Sequence, residues 1–312
     1  MRAIGATEFG GPEKLQVLDL PEPHPGPAQV RIRVHAATVN PTDSGLRSGR
    51  YRDRHADQSG PFIPGADAAG VVDEVGEGSR WQVGDRVAAV VVPFRPAGGA
   101  YVDELVVPDA SVLRLPDDVD FPAGSTFLMN ALTARLLLDK LGLSRGQVLA
   151  VTGAAGAFGG YVVQMAKADG LRVVADAAEK DEELVASLGA DHVVRRGDDV
   201  AARIREVVPD GVDGLVDGSV QADLLVPAVK DGGVIGSVRG WSGELERGIT
   251  ARPVLVYDSV ERDDLIKGLE EQLAQGVYTL RVAQVLPAEQ AEQAHRKLEA
   301  GGIRGRLVLD FS

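Results

Sequence analysis

The sequence contains no cysteine. That absence excludes disulfide bonds, thiolate nucleophiles and every zinc site that requires a cysteine ligand. Histidine is scarce as well, and the five histidines show none of the spacings that are typical of metal ligands. We therefore predict that the chain has no metal site. The histidines are His24, His35, His55, His192 and His295.

Basic residues are in the minority: 33 lysines and arginines stand against 46 acidic residues, which gives a formal net charge of -13. A surface of this sign repels phosphate backbones and anionic lipids, so we expect no nucleic acid and no membrane as partner. No apolar run approaches the roughly eighteen residues that span a bilayer, and residues 1–5 lack the apolar core of a signal peptide. We expect a soluble, cytoplasmic protein that acts on a small molecule.

The predicted secondary structure differs between the first third of the chain and the part after residue 144. Two domains are also the expectation for a chain of 312 residues. Short strands punctuated by glycine and proline in the first third predict a β-barrel. Alternating strands and helices from residue 144 predict an α/β domain with a doubly wound parallel sheet. A last strand at residues 306–309 has no place in that sheet, and we expect it to return to the first domain. The strands predicted for the parallel sheet are residues 148–151, 173–175, 192–194, 215–216, 234–238 and 254–257, and the helices are residues 160–169, 182–188, 200–207, 222–229, 262–275 and 288–298.

The most specific local feature is a buried strand that runs into a turn of small residues and then into a helix, over residues 148–160. A diphosphate can sit on the exposed N–H groups at a helix N-terminus only where the backbone comes close, so side chains there must be absent or very small. Gly156 and Gly159 meet that requirement, and Asp176 ends the following strand, where an acidic residue would bind the adenosine ribose hydroxyls. The pattern predicts a dinucleotide site. The alternative is a turn kept small only so that the helix can pack on the sheet.

The same segment leaves the choice of dinucleotide open. A carboxylate at Asp176 should repel a 2′-phosphate and favour NAD(H). Lys180, Arg195 and Arg196 lie at neighbouring strand ends and would stabilise a 2′-phosphate through charge-assisted hydrogen bonds, which favours NADP(H). All four residues are also compatible with solvated surface charge.

Several further motifs occur in one order along nearly the whole chain. They are FGGPE (9–13), VNPTD (39–43), RSGRY (47–51), PGADAAG (64–70), GDRV (84–87), LTA (132–134), the glycine-rich turn, LGAD (188–191) and GRLVL (305–309). Together they resemble the zinc-independent, quinone oxidoreductase-like branch of the medium-chain dehydrogenase/reductase superfamily. A set of motifs in a fixed order is far more specific than any one of them.

The resemblance implies a chaperonin-10 (GroES)-like catalytic β-barrel at residues 1–120, a Rossmann-type dinucleotide-binding domain at residues 121–258, and a C-terminal segment, residues 259–312, that returns to the catalytic domain. It also implies a homodimer, in which edge strands of the cofactor domains would pair.

The resemblance also assigns roles to individual residues, as an analogy. Tyr51 matches a tyrosine that helps to protonate the product, and Asn40 orients the nicotinamide or the carbonyl group. A loop aromatic and a turn residue before Pro41 are the respective structural alternatives. The residues predicted to bind cofactor are Asn40, Thr133, Gly153, Ala154, Ala155, Gly156, Ala157, Phe158, Gly159, Asp176, Lys180, Arg196, Gly236, Ser237 and Val238.

Departures from the wider superfamily sharpen the expected chemistry. Zinc-dependent relatives carry a histidine at the position of Ala66, a cysteine near Asn40 and a lobe with four cysteines, and this chain has none of these. Without a Lewis acid the hydride acceptor must already be electron-poor. We therefore expect an NAD(P)H-dependent reductase of quinones or α,β-unsaturated carbonyl compounds. A pathway-dedicated enoyl reductase for a larger intermediate and a non-enzymatic dinucleotide-binding protein are the alternatives.

Overall fold

The strands and helices divide between two compact units in the computed structural model, which describes residues 1–55, 60–241 and 245–312. The first unit consists of Met1–Met129, Tyr257–Ala274 and Leu280–Ser312. The second consists of Asn130–Val256 and Gln275–Thr279.

The β-strands account for both sheets of the protein and for one short hairpin. They are β1 (Arg2–Gly5), β2 (Gln16–Asp19), β3 (Gln29–Thr38), β4 (Asp67–Val75), β5 (Arg86–Val90), β6 (Glu104–Pro108), β7 (Val112–Arg114), β8 (Val148–Thr152), β9 (Arg172–Ala177), β10 (His192–Arg195), β11 (Val212–Asp217), β12 (Val229–Ser237), β13 (Thr250–Pro253), β14 (Val282–Pro287) and β15 (Arg306–Asp310).

The α-helices are short in the first unit and longer in the second. They are α1 (Pro41–Arg47), α2 (Phe121–Ser125), α3 (Leu128–Leu141), α4 (Ala157–Ala168), α5 (Glu182–Ser187), α6 (Val200–Val207), α7 (Asp263–Ala274) and α8 (Ala291–Ala300). Turns of 3-10 helix lie at Pro12–Lys14, Arg52–His55, Asp109–Ser111, Glu179–Asp181, Ala222–Ala228, Val256–Ser259 and Ala288–Gln290. Among the residues that the structure describes, no helix is long and apolar enough to cross a membrane.

The first unit is built on a seven-stranded sheet of order β14-β15-β3-β4-β5-β7, with β6 also paired to β3. Along β3 the side chains of Val30, Ile32 and Val34 are buried while their neighbours are more exposed, which is the alternation of a strand with one face in a core. The last strand, β15, pairs with β3 in antiparallel register, with Val308 opposite Thr38. The C-terminal residues therefore complete the sheet of the N-terminal ones.

The second unit contains a six-stranded parallel sheet of order β10-β9-β8-β11-β12-β13. All five residues of the central strand β8 are buried, as expected for a strand that is covered on both faces. This sheet confirms the predicted Rossmann-type architecture. Because parallel strands end at the same edge, the ends of β8, β9, β11 and β12 are brought together.

Two local predictions were wrong and one helix was not predicted, each for a physical reason. The sixth strand of the sheet is β13, not residues 254–257, since the apolar residues of that segment pack as a turn. Residues 222–229 form a 3-10 turn instead of a regular helix, and Pro227 inside it has no N–H to donate. Helix α3 was missed because it is apolar on nearly all sides and shows no periodic pattern.

Candidate active site and cofactor-binding turn

The glycine-rich turn is closed so tightly that two of its glycines have no room for a side chain. Gly153 has a φ of +70°, and a Cβ there would lie 2.7 Å from the backbone carbonyl of Gly218. A Cβ on Gly159 would lie 2.3 Å from the carbonyl oxygen of Gly153 and 2.8 Å from Cα of Ala154. Residues with side chains would force this backbone apart. The turn can therefore bring the backbone amides of Ala154 and Ala155 close to a ligand.

Gly156 has a different role, because it is the N-cap of α4 and has ordinary extended backbone angles. Its N–H donates to the carbonyl of Gly153 at 2.9 Å, and a Cβ on Gly156 would meet only that carbonyl oxygen, at 3.1 Å. The first turn of α4, which begins at Ala157 and Phe158, supplies N–H groups for which a helix has no internal acceptor. This arrangement suits an anion at the helix N-terminus.

Asp176 is in direct contact with the turn. Its side chain is only 5% exposed, and Oδ1 accepts a hydrogen bond from the backbone N–H of Ala154 at 3.2 Å. Burial raises the pKa of Asp176, while the amides of Ala154 and Gly153 and the charge of Arg196 oppose that rise. The structure thus joins the predicted ribose-binding carboxylate to the predicted diphosphate-binding turn.

The cationic side chains near Asp176 differ in how available they are to bind a 2′-phosphate. Arg195 forms ion pairs with Glu179 and Glu182, at 3.0 and 3.2 Å. Lys180 and Arg196 have exposed side chains, and the backbone N–H of Arg196 donates to the carbonyl of Ala177.

The predicted nicotinamide-side residues of the second unit lie at the end of β12 and on α3. A Cβ on Gly236 would lie 2.8 Å from the side chain of Leu137, so glycine is needed where β12 packs on α3. Thr133 precedes Leu137 by one helical turn and shares its face of the helix. The hydroxyl of Ser237 donates to the carbonyl of Gly240 at 2.8 Å, and Val238 is half-buried. These positions form one polar, sterically tight end of the sheet.

One part of this edge was missed by the sequence analysis. Asp217, at the end of β11, is 2% exposed, and its carboxylate accepts N–H groups from Val220 and Ala222 at 2.6 and 3.0 Å. Both of those residues have positive φ, +61° and +47°, a conformation that is unusual outside glycine. The hydroxyl of Ser219 donates to that of Thr152 at 2.9 Å and ties this loop to β8. An Asp-Gly pair directly after an apolar strand was the available clue.

In the first unit, Asn40 is held from both sides by charged residues. It is the N-cap of α1 and is 5% exposed. Its Nδ2 donates to Oδ2 of Asp67 at 3.0 Å, and its Oδ1 accepts from the guanidinium of Arg306 at 2.7 Å. The amide is therefore fixed in one orientation.

Asp67 and Arg306 form a buried ion pair at 3.3 Å, in which the side chains are 1% and 6% exposed. Burial raises the pKa of Asp67, and the charge of Arg306 opposes that rise. Oδ1 of Asp67 also accepts the backbone N–H of Met129 at 2.7 Å. Both residues lie in motifs that carry the family resemblance, but neither was predicted as a site residue, although a charged residue in an apolar segment is itself a clue.

A second buried polar group lies at Asp43, in the first turn of α1. Its carboxylate accepts from the N–H groups of Asn40 and Gly65 at 2.8 and 3.0 Å, and from the hydroxyl of Tyr101 at 3.1 Å. Burial raises the pKa of Asp43 to about 6, against these hydrogen bonds. The Tyr101 hydroxyl is also 3.3 Å from Nε2 of His295, and burial, together with the charge of Arg47, lowers the pKa of that histidine to about 3. His295 is therefore neutral and structural.

Tyr51 lies against the same helix. A Cβ on Gly45 would be 2.4 Å from its ring, so Tyr51 packs directly over that glycine of α1. The ring also makes an edge-to-face contact with Phe94, with a centroid distance of 5.5 Å. Within residues 1–55, 60–241 and 245–312, no group of three acidic or histidine side chains is placed to hold a metal ion.

Comparison with known proteins places this architecture among oxidoreductases. Residues 26–117 match the family described as the alcohol dehydrogenase GroES-like domain, and residues 188–309 match the family described as zinc-binding dehydrogenase. The chain is 31% identical to the quinone oxidoreductase of Rattus norvegicus over 99% of its own length and 97% of that protein.

Two solved structures agree over almost the whole chain. An NAD-dependent alcohol dehydrogenase superposes with a TM-score of 0.89 at 28% identity and covers 100% of both chains. A mycobacterial protein in complex with NADPH superposes with a TM-score of 0.85 at 28% identity and covers 99% of both chains.

Proposed function

The chain belongs to the quinone oxidoreductase-like branch of the medium-chain dehydrogenase/reductase superfamily, and from that premise we propose that it reduces quinones or α,β-unsaturated carbonyl compounds. It is an NAD(P)H-dependent oxidoreductase. The finer assignment of the acceptor is supported by the relative named quinone oxidoreductase and by the lack of every cysteine that a cysteine-ligated catalytic zinc would need.

The observation that carries the proposal is the geometry of the glycine-rich turn. Gly153 and Gly159 let the turn close tightly, since a Cβ at either position would meet backbone atoms of the protein itself, and the first turn of α4 presents its N–H groups beside that turn. The charge of a dinucleotide diphosphate suits such a helix N-terminus. When bound, the reduced dinucleotide supplies the hydride.

The residues of the chain then have to bind the dinucleotide, orient the acceptor and stabilise the charge that develops on the acceptor oxygen. The N–H groups at the N-terminus of α4 hold the diphosphate, while the N–H of Ala154 anchors Asp176, and Gly236 and Thr133 bind the nicotinamide end. In the first unit, Asn40 is a fixed contact that orients the nicotinamide or the carbonyl group, since its own amide is held by Asp67, Arg306 and the carbonyl of Thr38. A group that is already held in place does not have to reorganise while charge develops on the acceptor oxygen.

We further propose that NAD(H) is the preferred dinucleotide. The carboxylate of Asp176 is anchored on the turn by the N–H of Ala154, so its negative charge cannot move away from a 2′-phosphate. Asp176→Ser should improve the affinity for NADPH relative to NADH at least tenfold, which is about 1.4 kcal/mol. Asp210→Ser, on the exposed loop after α6, is the control and should change neither affinity. If the ratio of NADPH affinity to NADH affinity were the same in Asp176→Ser and Asp210→Ser, the proposed preference for NAD(H) would be contradicted.

The assay that tests the function uses NADH and NADPH separately, with 1,4-quinones and medium-chain enones as acceptors. Gly156→Ala is the matched variant, because its Cβ meets the carbonyl oxygen of Gly153 at 3.1 Å, which has to give by only a few tenths of an ångström, whereas a bound diphosphate would lose its close approach. We expect the variant to melt near the wild-type temperature and to lose cofactor affinity and turnover together. Unchanged affinity would refute the mapped turn. Tight cofactor binding by the wild-type chain without turnover of any acceptor would instead favour a non-enzymatic dinucleotide-binding protein.

We also propose a homodimer in which the parallel sheets of two copies meet at β13. This strand ends the sheet among the residues that the structure describes, so its outer edge is available for pairing. Light scattering should give twice the mass of the 32.8 kDa chain.

A further inference from the structure

Tyr257 lies in a small aromatic group that no sequence motif indicated. Its ring makes an edge-to-face contact with Phe94, with a centroid distance of 5.2 Å and an interplanar angle of 89°. Phe94 makes the equivalent contact with Tyr51, at 5.5 Å and 83°. One phenylalanine is thus flanked by two tyrosines that come from separate segments of the first unit.

The composition makes this grouping unlike ordinary packing. Aromatic residues are only 4% of the chain, yet three of them meet here. All three side chains are half-buried, and none belongs to the buried apolar core of the first unit. Half-exposed tyrosine and phenylalanine rings with a polar end are typical of surfaces that bind flat ligands.

The side chain of Thr42, at the start of α1, lies within reach of the Tyr257 hydroxyl and favours the ionised form of the phenol, as a hydrogen bond to its oxygen does. Burial nevertheless raises the pKa of Tyr257, and the charges of Asp43 and Asp67 and the nearby Tyr51 act in the same direction as burial. Of the two carboxylates, Asp67 is paired with Arg306. The phenol therefore remains a neutral O–H donor across the working pH range of the protein.

We propose that Tyr257 is a further catalytic residue, whose hydroxyl donates a hydrogen bond to the carbonyl oxygen of the quinone or enone while Phe94 supports the flat conjugated system. The inference rests on the proposed function and adds to it a specific donor. As hydride reaches the substrate, negative charge accumulates on that oxygen, and a donor fixed in advance by Thr42 stabilises the charge. Tyr51 is the donor that the sequence favoured, so the two tyrosines make separable predictions.

The test compares Tyr257→Phe, Tyr51→Phe and Tyr278→Phe with the wild-type chain, using 1,4-benzoquinone as acceptor and the better of the two reduced dinucleotides as donor. Tyr278 belongs to the second unit and is part of no proposed site, so its variant controls for the loss of a buried phenol. We expect Tyr257→Phe to lower kcat about 100-fold, the range seen on removal of one oxyanion donor. The Kd of the dinucleotide and the melting temperature should remain at the wild-type values.

Phe94→Leu separates support of the ring from donation of the hydrogen bond. It should raise KM for benzoquinone several-fold and leave kcat nearly unchanged, because it removes a surface that substrate and transition state use equally. A kcat for Tyr257→Phe within threefold of wild type, or an equal loss in Tyr278→Phe, would overturn the inference while the proposed function stands. Absence of quinone and enone turnover in the wild-type chain would overturn both.

Discussion

Replacement of Gly159 by alanine tests the tight closure of the cofactor-binding turn. An exposed helical glycine replaced by alanine usually gains about 1 kcal/mol, because alanine has the higher helix propensity. At Gly159, however, the new Cβ would lie 2.3 Å from the carbonyl oxygen of Gly153, which is about 1 Å closer than atoms of this kind approach. Overpacking typically costs about 1–3 kcal/mol, and a clash with backbone atoms, which cannot rotate away, belongs at the upper end, about 2–3 kcal/mol. After subtraction of the propensity gain of about 1 kcal/mol, we expect a net destabilisation of about 1–2 kcal/mol.

Gly268→Ala provides the matched control. Gly268 lies inside α7, and apart from the backbone of that helix and its chain neighbours no atom of the described residues lies within 4 Å of the position that its Cβ would take. This variant should be about 0.5–1 kcal/mol more stable than wild type. The two alanine variants should therefore differ by about 2 kcal/mol in unfolding free energy, although each adds one methyl group to a helix.

Urea unfolding at equal m-value measures this difference, and fluorescence titration with NADH and NADPH measures the accompanying affinity. Displacement of Gly153 and Ala154 should weaken dinucleotide binding at least tenfold in Gly159→Ala and leave Gly268→Ala unaffected. A Gly159→Ala protein as stable as Gly268→Ala, with wild-type affinity, would show that the turn does not need this close approach.

Two further predictions concern the buried polar residues of the first unit. Arg306→Met should destabilise the protein by about 3–5 kcal/mol in chemical unfolding, since it leaves the Asp67 carboxylate buried without its cation; a loss below 1 kcal/mol would contradict the pairing. Because the folded-state pKa of Asp43 is raised to about 6, the stability that this group contributes is full below its unfolded pKa near 3.8 and is lost as pH rises through 6. The stability of wild type relative to Asp43→Asn should accordingly fall by about 1 kcal/mol between pH 5 and pH 7, and a difference independent of pH would refute the raised pKa.

The parts of the fold that could be predicted are those with a local pattern. Helix α6 begins and ends at the predicted residues, Val200 and Val207, because its apolar positions follow a helical period. A second local pattern predicted strand β8, the turn after it and α4 as one unit: an apolar run, then small residues, then a helical period. Helix α3 and strand β13 lack such a pattern: the first is apolar on nearly all sides and the second is a short polar edge strand.

The amino-acid order is sufficient to specify the Rossmann-type sheet and the small-residue turn, since an apolar strand, glycines and a helix that follow one another can fold against each other locally. The family follows from the order too, because the motifs occur in one sequence along the chain. The three-dimensional fold was needed to show that Asp67 meets Arg306 across 239 positions, and that Tyr51, Phe94 and Tyr257 share one cluster. Contacts between distant residues depend on which strands are neighbours in the sheet, and the periodicity of a single segment carries no information about its neighbours.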